Sequence, residues 1–77
     1  MNTMDYLIEH DGRMMDVIRN GGYNKEDLQR AGFYLSGRLD YLLILREQGH
    51  REVDNAIDYT QMMYRNIVGL VAFESED

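Results

Sequence analysis

The chain has 77 residues, neither cysteine nor proline, and a formal net charge of −6 from 14 acidic and 8 basic residues. The absence of cysteine excludes disulfides as support for a core of this small size, and the acidic balance disfavours direct nucleic-acid binding, which requires cations. No apolar run approaches the roughly 20 residues of a membrane span, and no basic, apolar leader opens the chain. We therefore expect one cytoplasmic domain over residues 1–77 that does not enter a membrane.

The first predicted helix covers about residues 4–20. Its apolar residues recur at the three- and four-residue spacing of one helical face. The Asn-Gly-Gly run at 20–22 is expected to end it, because glycine readily takes the left-handed conformation found after helices.

A carboxylate, Asp11, falls inside the apolar stripe of this helix. A buried carboxylate must be paired or protonated, so we expect Asp11 to form a structural ion pair with Arg38 or Arg46 of the next helix. The alternative is a helix that breaks beside Gly12, which would leave Asp11 in solvent or in a capping position.

The second predicted helix, about residues 25–48, begins after the capping residue Asn24 and is apolar on two opposite sides. The first side carries Leu28, Ala31, Gly32, Leu35, Leu39, Leu42 and Leu43. The second, here called the aromatic row, consists of Phe33, Tyr34, Gly37, Tyr41 and Ile44. A surface helix needs only one apolar stripe, so the aromatic row requires a cover: either the first helix or a partner, most simply a second copy.

The third predicted helix covers about residues 51–73 and has one continuous apolar stripe. Only a short link around Gly49 separates it from the second helix, which predicts a long antiparallel hairpin. The acidic tail, residues 74–77, is expected to fray. The fold class is thus all-α, with three helices whose core is completed in a homodimeric helical bundle.

Acidic residues gather around the link between the second and third helices, and they form a candidate acidic surface. Its members are Asp40, Glu47, Glu52, Asp54 and Asp58. Arg38, Arg46 and Arg51 are interleaved with them and dilute the negative field.

The usual signatures of catalysis and of metal binding are missing from the sequence. The two histidines, His10 and His50, stand in no metal-ligand spacing; His10 is expected on the polar side of its helix and His50 in the link. No serine has a nearby His–Asp arrangement, and no glycine-rich phosphate loop follows a strand. We expect no enzymatic activity, no metal and no cofactor.

Three function classes remain for such a chain. The favoured one is a dimeric inhibitor or adaptor that binds a protein partner by occupying its surface, a character common among small modulators encoded by phages and mobile elements. The second is a nucleic-acid mimic that fills a DNA- or RNA-binding groove with its acidic surface. The third is a structural or antitoxin-like subunit that folds fully only in a complex.

Overall fold

The computed structural model describes residues 3–74, and this part of the chain is helical without any strand. Its elements are α1 (Thr3–Asn20), α2 (Lys25–Glu47), a 3-10 turn (Arg51–Val53) and α3 (Asp54–Glu74). The prediction of an all-helical chain with three helices is confirmed. The third helix begins with a tighter turn than expected, and most of the predicted acidic tail lies outside the described residues.

The ends of α2 follow from its flanking residues. The Asn24 Oδ1 atom accepts a hydrogen bond of 2.8 Å from the Glu26 backbone N–H, which satisfies a first-turn donor that has no partner within the helix. After α2, Gly49 has φ +98°, and its N–H donates to the Arg46 carbonyl at 3.0 Å. The capping prediction for Asn24 is confirmed.

In the link from α1 to α2, two consecutive residues have the left-handed backbone conformation. Gly22 has φ +70° and Tyr23 has φ +58°, and the Tyr23 N–H donates to the Ile18 carbonyl at 3.0 Å. A left-handed conformation costs a non-glycine residue about 1–2 kcal/mol. The Tyr23 ring packs against the core, which offsets this cost. α1 itself continues through Gly12 without the break that was considered as an alternative.

Two apolar clusters form the core. The first contains Ile18, Leu28, Ala31, Leu35, Met63 and Ile67. The second contains Leu7, Leu42, Ala56 and Ile57. Early residues of α2 share a cluster with late residues of α3, and late residues of α2 with early ones of α3, as occurs between helices that run in opposite directions. α1 contributes one buried apolar residue to each cluster, Ile18 to the first and Leu7 to the second.

All three helices carry charged and polar residues among their apolar ones. None of the helices in residues 3–74 is long and apolar enough to cross a bilayer.

Candidate functional site

The two sides of α2 have opposite environments. On the first side, Leu28 and Leu35 are fully buried, Ala31 and Leu42 are buried, and Gly32 and Leu39 are half-buried. Leu43, at the edge of this side, is exposed. This face is the one that α1 and α3 cover, so most of the first predicted stripe lies in the core.

The aromatic row lies on the other side and is open to solvent. The exposed fractions are 79% for Phe33, 62% for Tyr41, 52% for Ile44 and 43% for Tyr34. Gly37 is exposed between them, and a Cβ atom added to it would meet no described atom within 4 Å. The structure therefore brings the five residues together on one ridge, and α1 does not lie over it.

α1 reaches only the edge of the aromatic row. The ring of His10 lies between those of Tyr6 and Tyr34, with centroid separations of 6.2 Å and 5.0 Å. Arg38 adds a cation–π contact, with its guanidinium carbon 5.6 Å from the centre of the Tyr34 ring. His10 was expected on the polar side of α1; it is half-buried there, because α1 lies close enough to α2 for the rings to meet.

A buried ion pair positions α1 on α2. The guanidinium of Arg38 donates two hydrogen bonds to the Asp11 carboxylate, from Nη1 to Oδ1 at 3.0 Å and from Nη2 to Oδ2 at 2.8 Å. Its Nε donates a third bond of 3.0 Å to Thr60 Oγ1 on α3. Asp11 and Thr60 are both fully buried. One arginine thus connects all three helices at the level between the two apolar clusters.

The second arginine considered for Asp11, Arg46, lies elsewhere. It is two helical turns beyond Arg38, and its Nε is 3.5 Å from Asp54 Oδ1 at the start of α3. That oxygen is buried without a hydrogen bond, so the contact with Arg46 is ionic and long. The structural ion pair is therefore Asp11–Arg38, and the expectation for Arg46 is corrected to a contact with Asp54.

The buried charges shift two neighbouring pKa values. Burial raises the pKa of Tyr59 above 10.0 by disfavouring its phenolate, and the Asp11 carboxylate raises it further. For Arg38, burial lowers the pKa, but the hydrogen bonds and charge of Asp11, with a further contribution from Tyr34, outweigh that effect, so the net shift of the pKa is upward. The raised pKa values favour a neutral phenol at Tyr59 and a charged guanidinium at Arg38.

The acidic residues near the link do not form an unbroken negative surface. Asp40, Glu47, Glu52 and Asp58 are exposed, whereas Asp54 is half-buried. Two of the carboxylates lie against neighbouring side-chain nitrogen atoms: His50 Nδ1 is 3.2 Å from Glu52 Oε1, and Arg46 Nε is 3.5 Å from Asp54 Oδ1.

A shallow apolar groove of about 410 Å³ runs between α1 and α2, beside the aromatic row. Met14, Val17, Ala31 and Tyr34 contribute to its lining. Two ion pairs along its rim, Arg13 with Glu9 and Arg30 with Glu26, are formed within single helices.

Three contributors to the site were not predicted from the sequence: Thr60, Tyr59 and the ring contact of His10. Thr60 is the one polar residue within the apolar stripe of α3, and that position was the signal available for it. Within residues 3–74, no three acidic or histidine side chains are grouped so that they could hold a metal ion. In comparisons with known proteins, no family model matches the chain, and no curated protein or solved structure matches it either.

Proposed function

We propose that this chain is a small acidic interaction module that dimerises through the aromatic row. It acts as an inhibitor or adaptor by occupying the surface of another protein. The exposure of four large apolar side chains on one side of α2 is the observation that supports the proposal. A non-enzymatic role in the cytoplasm, of the kind performed by phage-encoded modulators, is part of the same proposal.

The residue types of the aromatic row, and their adjacency on the surface, support a role for the row as an interface. Isolated exposed apolar residues are ordinary on protein surfaces, but a contiguous group of them is typical of a binding surface. Phe33 and Tyr41 bring large, rigid rings, and aromatic residues are enriched in interface cores. Tyr34 and Tyr41 also keep a hydroxyl at their tips, which lets them lie at the boundary between apolar contact and water.

The size of the chain gives a second argument for self-association. A domain of 77 residues buries a smaller share of its surface than a larger one, and oligomerisation is a common way to enlarge the core. The two clusters described above use one side of α2 only. A second copy on the aromatic row would bury the other side and complete a helical bundle.

The nucleic-acid mimic receives less support. Such a protein needs carboxylates that stand clear of cations, whereas Asp54 and Glu52 contact Arg46 and His50. The subunit that folds only in a complex remains an outcome that the experiment below can identify.

Dimerisation is tested by measuring the absolute mass in solution, by light scattering after size exclusion, at two protein concentrations. The expected mass is twice that of the 9.1 kDa chain. The double variant Tyr41→Arg/Ile44→Glu should have the mass of one chain and unchanged helicity, because it places two charges in the row.

A matched control is the double variant Met62→Arg/Val68→Glu. It introduces the same pair of charges at exposed positions of α3, which are 49% and 46% accessible. It should dimerise like the unsubstituted chain. A monomeric unsubstituted chain, or equal dissociation of both variants, would contradict the proposal, and a poorly helical unsubstituted chain would favour the obligate-subunit alternative.

Action on another protein needs a separate measurement. The unsubstituted chain, the row variant and the α3 variant serve as three baits for affinity capture from the native host. If the active form is the dimer, one host protein should be enriched on the first and third baits and depleted on the second. Capture that does not differ among the three baits would contradict a role for the dimer.

A further inference from the structure

We propose that the two copies pack through α2 in antiparallel orientation and cross at Gly37. This inference rests on the proposed function and adds the orientation and the contact residues of the dimer. Four observations carry it: the space around Gly37, the arrangement of the row about that residue, the placement of charges beside it and the length of α2.

Within residues 3–74, no contact explains a glycine at position 37. Glycine in the middle of a helix costs about 1 kcal/mol relative to alanine. At Gly32, an added Cβ would lie 3.7 Å from Ile67 Cγ2, so that glycine faces α3. At Gly37 the corresponding space is open. A residue without a side chain in the centre of an aromatic ridge lets another backbone approach closely, which is the compensation that a second helix would supply.

The large residues of the row are arranged about Gly37 as a twofold interface requires. At about 100° per residue, Phe33 and Ile44 lie on one flank of the ridge, and Tyr34 and Tyr41 lie on the other. Each flank has one large residue before Gly37 and one after it.

In an antiparallel twofold pair, each flank faces the same flank of the other copy. Phe33 then packs beside Ile44 of the partner subunit, and Tyr34 beside Tyr41 of the partner subunit. Every exposed apolar residue of the row therefore gains an apolar or aromatic neighbour, while the two glycines meet at the crossing.

Charges beside the row favour the same orientation. A parallel, in-register pair would place Arg30, which lies near the middle of the ridge, opposite its own copy, and this brings like charges together. In the antiparallel pair, Arg30 lies at the level of the partner's α2 C-terminus, where the helix dipole favours a cation. α2 has 23 residues and is about 35 Å long, so the contact can extend well to either side of Gly37.

The orientation is tested by cysteine cross-linking, for which a chain without cysteine is well suited. Phe33→Cys and Ile44→Cys chains, one carrying a mass tag, are mixed, allowed to exchange and oxidised. The expected product is a mixed disulfide dimer.

Phe33→Cys alone should give little disulfide, because the antiparallel pair separates its two copies by about 12 Å along the axis (1.5 Å per residue), beyond the roughly 7 Å limit between bridged Cα atoms. Phe73→Cys, which lies outside the row and is also highly exposed, is the control for random collision.

The possible results separate the two proposals. A doubled mass with a disulfide between two Phe33→Cys chains, or with no mixed 33–44 disulfide, overturns the antiparallel orientation but leaves the dimer standing. A monomeric mass for the unsubstituted chain overturns both.

Gly37→Leu is a second test of the crossing point. We expect it to raise the dimer dissociation constant at least tenfold while the helicity of the monomer is kept, because a Cβ atom added at this position meets no described atom within 4 Å. Gly69→Leu is the matched control on α3, where an added Cβ also meets open space. If Gly37→Leu dimerises as tightly as Gly69→Leu, the two helices do not cross at Gly37.

Discussion

Phe33 and Leu35 are separated by one residue of α2, yet Phe33 is 79% exposed and Leu35 is completely buried. The side chains of residues two positions apart on a helix point about 160° away from each other, so Phe33 and Leu35 lie on opposite sides of α2. One contributes to the core of the chain, and the other is the most exposed large apolar residue of the aromatic row.

Truncation of these two residues should therefore affect stability very differently. Leu35→Ala is expected to lower the free energy of unfolding by about 2–5 kcal/mol, because it leaves a cavity in the first cluster. Phe33→Ala should change that of the monomer by less than about 0.5 kcal/mol. Urea unfolding followed by circular dichroism, at a protein concentration where the chain is monomeric, gives both values. Similar losses for the two variants would show that Phe33 is packed in the monomer.

The Asp11–Arg38 pair should be costly to break from either side. Asp11→Ala is expected to lower the free energy of unfolding by about 3–5 kcal/mol, since the guanidinium keeps its charge without its main partner. Arg38→Ala should have a similar effect. Chemical denaturation at neutral pH measures both.

The matched control is the exposed pair of Glu26 and Arg30, whose side chains are more than two-thirds accessible. Glu26→Ala should cost less than about 1 kcal/mol. In the double variant Asp11→Ala/Arg38→Ala, the loss should be smaller than the sum of the single losses by about 1–3 kcal/mol. Additive losses would mean that the two groups do not interact energetically.

Ionisation of the Tyr59 side chain should lower the free energy of unfolding at alkaline pH. Its pKa in the folded chain is raised above 10.0, chiefly by burial, so the folded state keeps a proton that the unfolded state loses. The stabilisation is complete below pH 10 and is lost as the pH rises through the raised pKa.

The measurement is the free energy of unfolding from pH 8 to pH 11 for the unsubstituted chain and for Tyr59→Phe, which cannot ionise. The difference between the two curves should turn in favour of Tyr59→Phe as the pH rises above 10. Parallel curves would contradict a raised pKa.

Gly32→Ala is expected to stabilise the chain. The added Cβ would lie 3.7 Å from Ile67 Cγ2, an ordinary van der Waals contact, and the gain in helix propensity is up to about 1 kcal/mol. Gly49→Ala, at φ +98°, should instead destabilise it, because alanine disfavours that conformation. Thermal unfolding of both variants tests the opposite signs; a loss of stability in Gly32→Ala would mean that α2 and α3 must separate to accept the methyl group.

Local signals were sufficient to predict the helices and their ends. The cap at Asn24 and the apolar spacing of Leu28, Leu35 and Leu42 depend only on neighbouring residues, so helical periodicity captures them. The existence of a second apolar side on α2 could also be predicted from the sequence, because it too is a matter of spacing.

The docking of α1 could not be predicted in the same way. Arg38 and Arg46 are eight residues apart and lie about 80° from each other around α2, and both are on or beside its first apolar side, so periodicity alone does not distinguish them as partners for Asp11. The choice depends on how far α1 extends along α2, which is set by tertiary packing of Leu7 and Ile18 in separate clusters. The half-buried position of His10 has the same origin.

Besides its contribution to the free energy of folding, the Asp11–Arg38 pair determines the position of α1 along α2. Sliding α1 along α2 by one turn would bring Leu7 or Met15 opposite Arg38, and neither can accept its hydrogen bonds. Apolar contacts tolerate such a slide, since one aliphatic side chain can replace another, but the paired guanidinium and carboxylate do not. The ion pair therefore fixes the position of α1 along α2, which the apolar contacts alone would leave free to shift by one turn.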